Sequence, residues 1–587
     1  MEAGCLLERK QGRASLSSNK KYVVLDFETT GKNPRRDKVF AFAFGDLKGN
    51  VEVVRPPDAE PLKQLKNKVI IGHNIKFDLH FLEGLIGKHD WKIEDTLIMS
   101  RLIRNLAPNH SLDALGKELF DYPDDYDRLV KRYIKQGYDK VPEDIMTNYQ
   151  IADIQRTALL FRAFYPIIKR DHNEIYAIEK ELVITTLRIE QRGIGFDRKK
   201  ALEMIKELSK RSEAIPRGFD MSSKFGFNPD RPSDVSYYLF NQLGLKPLGY
   251  TKTGRPRLDK EALSIYLNDP SIPEKKKKYV KLLLEYRAVS RARKMIENYL
   301  EFAEGDIIYP TINTLQARTG RESSSEPNLQ NVNRSETLLN PFQVPLRKLF
   351  KPKNGFWNFH LDYKGIEARL LAEYSGDEKM IEMFKNGEDV HSFSAKLFYG
   401  KRFEQANPQR KKVLRSSAKN TNFAIGYGGS VPKFAETLNL PVNEVSQKFL
   451  LFKSIFPKYV SMHRRIIDQL GVDFSVKTAF GRKLYIARDK PHSAVNYLIQ
   501  GTASDLIKVA QNRIYKFLEE FGELAGIILP IHDEIVIEIH KSLKPQVRDI
   551  LMECRRLMTT DLPFTIPIEV DIEIAKESWD ETQPFPI

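Results

Sequence analysis

Cysteine is nearly missing: the 587 residues hold two, Cys5 and Cys554, far apart and outside any CxxC pattern. That excludes a disulfide framework or a zinc finger of ordinary spacing and makes a reducing compartment the natural reading. Long apolar runs are missing too, since no stretch approaches the roughly 18 to 20 residues of a membrane span. The first twenty residues are basic and Ser-containing but lack an apolar core, so residues 1–20 read as a flexible leader, with an organellar transit remnant as the alternative, and not as a secretory signal. Acid is in deficit, 78 Asp plus Glu against 94 Lys plus Arg, leaving a net charge of +16. Such a balance suits a protein that handles a polyanion, although a merely solvated basic surface has the same composition. The length exceeds what one hydrophobic core organises, so several domains are expected.

Short β-rich segments (Tyr22–Phe27, Val39–Phe44, Val69–Ile71) alternate with helical periodicity, which predicts a compact α/β domain over residues 21–165. From 166 to 305 the pattern is helical and basic, with Pro273 opening a long helix and Lys275–Lys278 reading as its solvated start. Strands return at Ile307–Tyr309 and Phe356–Tyr363, helices fill about 375–520, and a strand pair spans Gly526–Ile539. A sheet platform with a helical insertion is therefore expected.

Three acidic elements mark the first domain. Asp26 and Glu28 lie two apart at the end of an apolar strand, so both carboxylates face one side. Asn74 and Asp78, then Tyr149 and Asp153, lie four apart and should share helical faces. Asp-x-Glu alone is no more than a polar strand edge. The ordered set resembles proofreading and RNase D-type 3′-5′ exonucleases over residues 22 to about 165. The resemblance implies that Asp26, Glu28, Asp78 and Asp153 bind two Mg²⁺ while Tyr149 orients the attacking water.

In the second half, Asp362 sits on the polar face of an alternating strand, and Asp533-Glu534 fall at a tight turn between two apolar strands. Acids in turns are ordinary. Between them Asn407 can cap a helix that starts at Pro408, along which Arg415, Lys419, Phe423 and Tyr427 recur every four residues. Cations followed by aromatic rings match a nucleoside triphosphate, with a basic surface helix as the bland alternative.

These segments resemble the motifs of the A-family DNA polymerases, the group of bacterial DNA polymerase I: Asp362-Tyr-Lys-Gly-Ile-Glu367-Ala-Arg369, the Arg415-to-Gly428 helix and His532-Asp533-Glu534. Thr319–Asn331 and Asn496–Asp505 resemble the same family's duplex-gripping parts, and the likeness runs from about residue 175 to Trp579. The implied fold class is multi-domain α/β and α+β, an RNase H-like 3′-5′ exonuclease domain followed by a right-hand polymerase domain at 175–587. Within that domain the thumb is expected near 190–305, the palm near 306–380 and 522–587, and the fingers near 381–495.

By that resemblance Asp362 and Asp533 hold two further Mg²⁺, for which Mn²⁺ can substitute, and Glu534 supports them. Arg415, Lys419 and His391 contact the triphosphate, Lys419 also serving as the acid toward pyrophosphate. Phe423 and Tyr427 stack near the incoming nucleotide, and Glu367 excludes a 2′-hydroxyl. Arg321, Asn496, Gln500 and His532 line the primer-template. The expected partners are primer-template DNA, dNTPs and a single-stranded 3′ end, bound by a monomer with no membrane role. A bacterial or phage-infected cytoplasm is the expected setting, with an organelle as the alternative, and no 5′ nuclease is expected.

Lys364-Gly365 replaces the usual Ser-Gln and His492 a common Arg, departures from the family pattern at positions that contact the minor groove. Two rival readings remain. One is a nucleic-acid exonuclease with a non-catalytic, substrate-gripping C-terminal half, which would not need Asp362, Asp533 and Lys419. The other is an architectural nucleic-acid binder, which would need neither acidic set.

Overall fold

A computed structural model of the chain describes residues 21–55, 57–122, 125–219, 227–332 and 342–586, so the expected leader and Cys5 lie outside the described residues. The first body is a five-stranded sheet in the order Val51–Val54, Val39–Gly45, Tyr22–Thr29, Val69–Gly72, Lys92–Asp95. The first three strands are antiparallel, and the last two run parallel to Tyr22–Thr29. That central strand is covered on both faces, which is why apolar Val23, Val24, Leu25 and Phe27 are all buried along it, with only Asp26 interrupting them. Helices Ile75–Ile86, Thr96–Ile103 and Glu143–Asp171 pack around it.

The second body is built on an antiparallel sheet ordered Ala525–Ile531, Glu534–His540, Phe356–Tyr363, Val570–Ala575, Thr582–Pro584. Phe359 and Leu361 on its central strand are fully buried. Each such side chain contributes roughly 1.5–3 kcal/mol, and together they fix the backbone that presents Asp362 at the surface. A helical insertion carries Val390–Tyr399, Pro408–Gly426, Val431–Leu438 and Val442–Ile455. A separate helical arm pairs Arg198–Ala214 with the 29-residue helix Glu274–Phe302, capped at Pro273 as its sequence requires.

Helix Asn173–Arg192 joins the two bodies. Its Ile175, Tyr176, Val183 and Leu187 belong to the core of the first, whereas Ile189 belongs to the core of the second. Two local expectations change. Asn74 is not in the helix with Asp78; it precedes Ile75 with φ 69°, a left-handed conformation that asparagine tolerates. Tyr427 closes the Pro408–Gly426 helix as its cap residue and does not extend the stripe within it. Among the described residues no helix is long and apolar enough to cross a membrane.

Candidate active sites

The first acidic set converges. Asp26 and Glu28 emerge from the central strand, Asp78 from the first turn of Ile75–Ile86 and Asp153 from the middle of Glu143–Asp171. The Phe27 N–H donates to Asp78 Oδ1 at 3.0 Å, which ties the acid-bearing strand to the acid-bearing helix. Burial pushes the Asp26 carboxyl well above its ordinary range, with Asp78 adding to the effect. Burial likewise raises Glu28, helped by repulsion from Asp26, Asp153 and Asp78 and opposed by Arg55. Asp153 is raised by burial and by Asp26, and Tyr149 is raised chiefly by the charge of Asp153. Like charges gathered in a low-dielectric pocket take up protons unless cations are supplied.

Among the described residues no group of three or more His, Cys, Asp or Glu stands ready to hold a metal ion. The donor chemistry nevertheless fits one. Three buried carboxylates and the half-buried Asp26 provide only hard oxygen donors, and a divalent cation would relieve the repulsion that now raises them.

Two residues missed by the motif reading shape this site. Arg156, almost wholly buried, donates from Nη1 to Asp153 at 3.1 Å and Asp113 at 3.2 Å, with Asp127 at 3.8 Å. Its position three residues after Asp153 was the available signal. Asp95 accepts from the N–H groups of Asn74 (3.1 Å), Ile75 (3.0 Å) and Leu97 (2.8 Å), so one carboxylate fixes the starts of two helices. An Asp before an apolar helical run is a cap signature. A cleft of about 670 Å³ opens beside Glu28 and is walled by Asn74, Lys76, His80, Glu190, Ile312 and Asn313. It thus lies between the two bodies.

The second acidic set is organised by sheet register. Asp362 stands opposite Glu534 on one neighbour strand and Asp571 on the other. Asp533 occupies the hairpin turn just after His532, whose φ of 55° marks the tight reversal. Burial raises the Asp533 carboxyl; His532 opposes this, and Glu367 and Glu534 add to it. Glu534 is also bonded to His360 Nδ1. Glu367 accepts from Arg321 Nη2 at 2.8 Å, and burial followed by the Glu367 charge raises Tyr427. Glu367, Arg321, Tyr427 and Asp533 therefore face one another.

Beside them the Pro408–Gly426 helix starts as expected, with the Arg410 N–H donating to Asn407 Oδ1 at 2.8 Å. Lys419 Nζ lies 5.8 Å from the Phe423 ring centre, and His391 packs on the same ring at 5.9 Å. Burial lowers His391 to about 4, aided by Arg415, so its imidazole is neutral near pH 7. Arg415 makes a two-pronged contact with Asp389 at 2.6 and 3.0 Å, and Asp389 in turn caps Val390–Tyr399 by accepting from the His391 N–H at 3.0 Å. Asp389 was not singled out in the sequence.

Asn496 and Gln500 are half-buried, four residues apart on Ala494–Leu518, and His532 is exposed. Gly365, unusual by its motif, takes φ 61° at the start of Ile366–Ser375, a conformation glycine adopts without strain. Lys364 lies 3.5 Å from Glu569 and 3.7 Å from Asp571.

Comparison with known proteins followed the same division. A family model described as DNA polymerase family A matches residues 198–581, and one described as 3′-5′ exonuclease matches residues 13–169. DNA polymerase I of Aquifex aeolicus is 27% identical, with 96% of each chain covered. The thermostable DNA polymerase I of Thermus aquaticus is 29% identical over 81% of this chain, which spans 57% of that protein's length. Among solved structures, the POL domain of Pol1 from M. smegmatis, in complex with DNA primer-template and dNTP, aligns with a TM-score of 0.79 at 23% identity, covering 96% of both chains. At that identity the match speaks to the fold.

Proposed function

Since the chain belongs to DNA polymerase family A and carries a 3′-5′ exonuclease domain, we propose that it extends a primer on a DNA template with dNTPs and trims the same strand end. The observation that carries this is the pairing of two separate acidic sets with different surroundings. One is sunk in the first body beside Tyr149; the other lies at the surface of a sheet beside a cationic and aromatic helix. A nuclease with an inert C-terminal half would not need the second set, and the family membership favours the polymerase.

Asp362 and Asp533 would hold Mg²⁺ at the extension site, with Glu534 in support, and Asp26, Glu28, Asp78 and Asp153 would hold it at the trimming site; Mn²⁺ can substitute. Metal held by these residues would supply charge stabilisation to the attacking and leaving oxygens of a phosphodiester. The chain's own side chains do the rest. The Arg415 guanidinium and the Lys419 ammonium bind the triphosphate, and Lys419 Nζ gives its proton to the departing pyrophosphate. Neutral His391 donates one hydrogen bond to the phosphates without adding charge. Phe423 and Tyr427 receive the base and sugar, and Glu367, held by Arg321, closes the space a 2′-hydroxyl would need. Arg321, Asn496, Gln500 and His532 line the duplex. At the other site the Tyr149 hydroxyl orients the attacking water. The protein is proposed to act as a monomer on primer-template DNA, dNTPs and a single-stranded 3′ end.

The test is a labelled primer on a longer template, lengthened with dNTPs and shortened without them. Asp533→Ala should stop extension and leave trimming, whereas Asp26→Ala should do the reverse. One substitution abolishing both activities would contradict two independent sites.

A further inference from the structure

Glu190, near the end of Asn173–Arg192, belongs to neither acidic set, yet it holds four parts of the protein together. Its Oε1 accepts from Lys76 Nζ at 2.6 Å and from the Ile312 N–H at 2.5 Å, and its Oε2 meets His80 Nε2 at 2.6 Å. Its main-chain carbonyl accepts from Arg35 Nη2 at 3.2 Å, and Arg35 stacks 3.4 Å from the Tyr309 ring centre. Lys76 and His80 sit on either side of Asp78 on one helix, and Arg35 lies in the loop that follows Glu28. Ile312 belongs to the strand Thr311–Asn313, which pairs with Ser323–Ser325 just after Arg321. The contacts therefore run from the trimming acids to the strand pair beside the extension site. Glu190 is buried, as is Lys76, so an unmet partner here is costly.

Resting on the function proposed above, we infer that Glu190 is a positioning residue that aligns the exonuclease cleft with the strand pair gripping the primer, so that a frayed primer end is delivered from duplex to cleft. Its role lies in transfer and not in bond cleavage. A free single strand diffuses into the cleft without using that alignment. A mispaired end on a template is bound by both bodies at once and depends on it.

Asn105 provides an independent second tie. It bonds the Tyr485 carbonyl at 3.1 Å and the Tyr485 N–H at 3.0 Å, and its Nδ2 reaches the Arg318 carbonyl at 3.4 Å. The experiment compares removal of a mismatched 3′ nucleotide from primer-template with degradation of a free single-stranded oligonucleotide, for wild type, Glu190→Gln and Asn105→Ala. In both variants the mismatch-to-single-strand rate ratio should fall about fivefold, within the range of coupling changes produced by network substitutions. Equal loss of both rates, or no change in the ratio, would overturn the inference. Should Glu190→Gln fail to fold, His80→Ala, which removes only the partner of Glu190 Oε2, is read by the same ratio, and an unchanged ratio there overturns the inference. A wild-type protein that trims neither substrate would instead refute the exonuclease reading itself.

Discussion

Glu179 offers a stability prediction whose size follows from its surroundings. It lies on the joining helix Asn173–Arg192, and its Oε1 is shared by Lys508 Nζ at 2.6 Å and Arg482 Nη2. Arg482 Nε also bonds Asp505 at 2.7 Å, and all four side chains are no more than 2% exposed. Two acids thus balance two bases inside the protein. Glu179→Gln leaves two cations facing one carboxylate. Glu322, whose carboxyl burial raises as it does that of Asp505, faces Lys508 but is bonded to Gln511. Breaking a buried ion pair from one side costs about 3–5 kcal/mol.

A chain with several cores does not melt as one unit, so the readout is amide hydrogen exchange in the middle of Ala494–Leu518, which carries Asp505 and Lys508. At about 4 kcal/mol, exchange there should quicken roughly a thousandfold. The double substitution Glu179→Gln with Lys508→Met restores neutrality with an apolar side chain and should recover more than half of the loss in free energy. Exchange within about fivefold of wild type in the single variant, or a double variant no slower to exchange than the single, would refute the claim that charge balance stabilises this junction.

Gly428 follows the Pro408–Gly426 helix at φ 78°, and a Cβ there would lie 2.5 Å from the His463 ring. Gly428→Ala should cost about 1–2 kcal/mol in backbone strain alone and slow nucleotide addition several-fold while leaving single-strand degradation intact; equal extension rates would count against this. His73, bonded to Thr96 Oγ1 and the His110 carbonyl at 2.9 Å each, is lowered by burial to about 4. The unfolded chain therefore takes up a proton first as pH falls from 6.5 toward 4, and stability present above that window is lost through it. His73→Gln should flatten the acid-side fall in exonuclease-domain stability by up to about 1.4 kcal/mol per pH unit, measured by amide hydrogen exchange within Ile75–Ile86 at several pH values, corrected for the intrinsic pH dependence of exchange. An unchanged slope would show that His73 does not titrate as described.

The parts readable in the sequence were those governed by short spacing. Strand alternation placed Asp362 on the polar face, the two-residue interval set Asp26 beside Glu28, and the cap at Asn407 fixed where the cationic helix begins. Resemblance then joined elements that periodicity could not. What remained hidden depends on contacts between distant residues. Glu190 meets Lys76 across 114 positions and Ile312 across 122. Nothing local in Ile-Glu-Gln-Arg announces a buried acid gripping another domain. Asn74 was misjudged because four-residue spacing assumes an unbroken helix, and a left-handed residue resets it.

The helix Asn173–Arg192 carries a practical warning for anyone who wants half of this molecule. Cutting before it takes Ile175, Tyr176, Val183 and Leu187 from the smaller fragment and bares an oily ridge on the larger one. Cutting after it strands Arg482 and Lys508 without Glu179. Synthesis and editing thus share a keel, and a cut on either side of it breaks contacts that one half relies on.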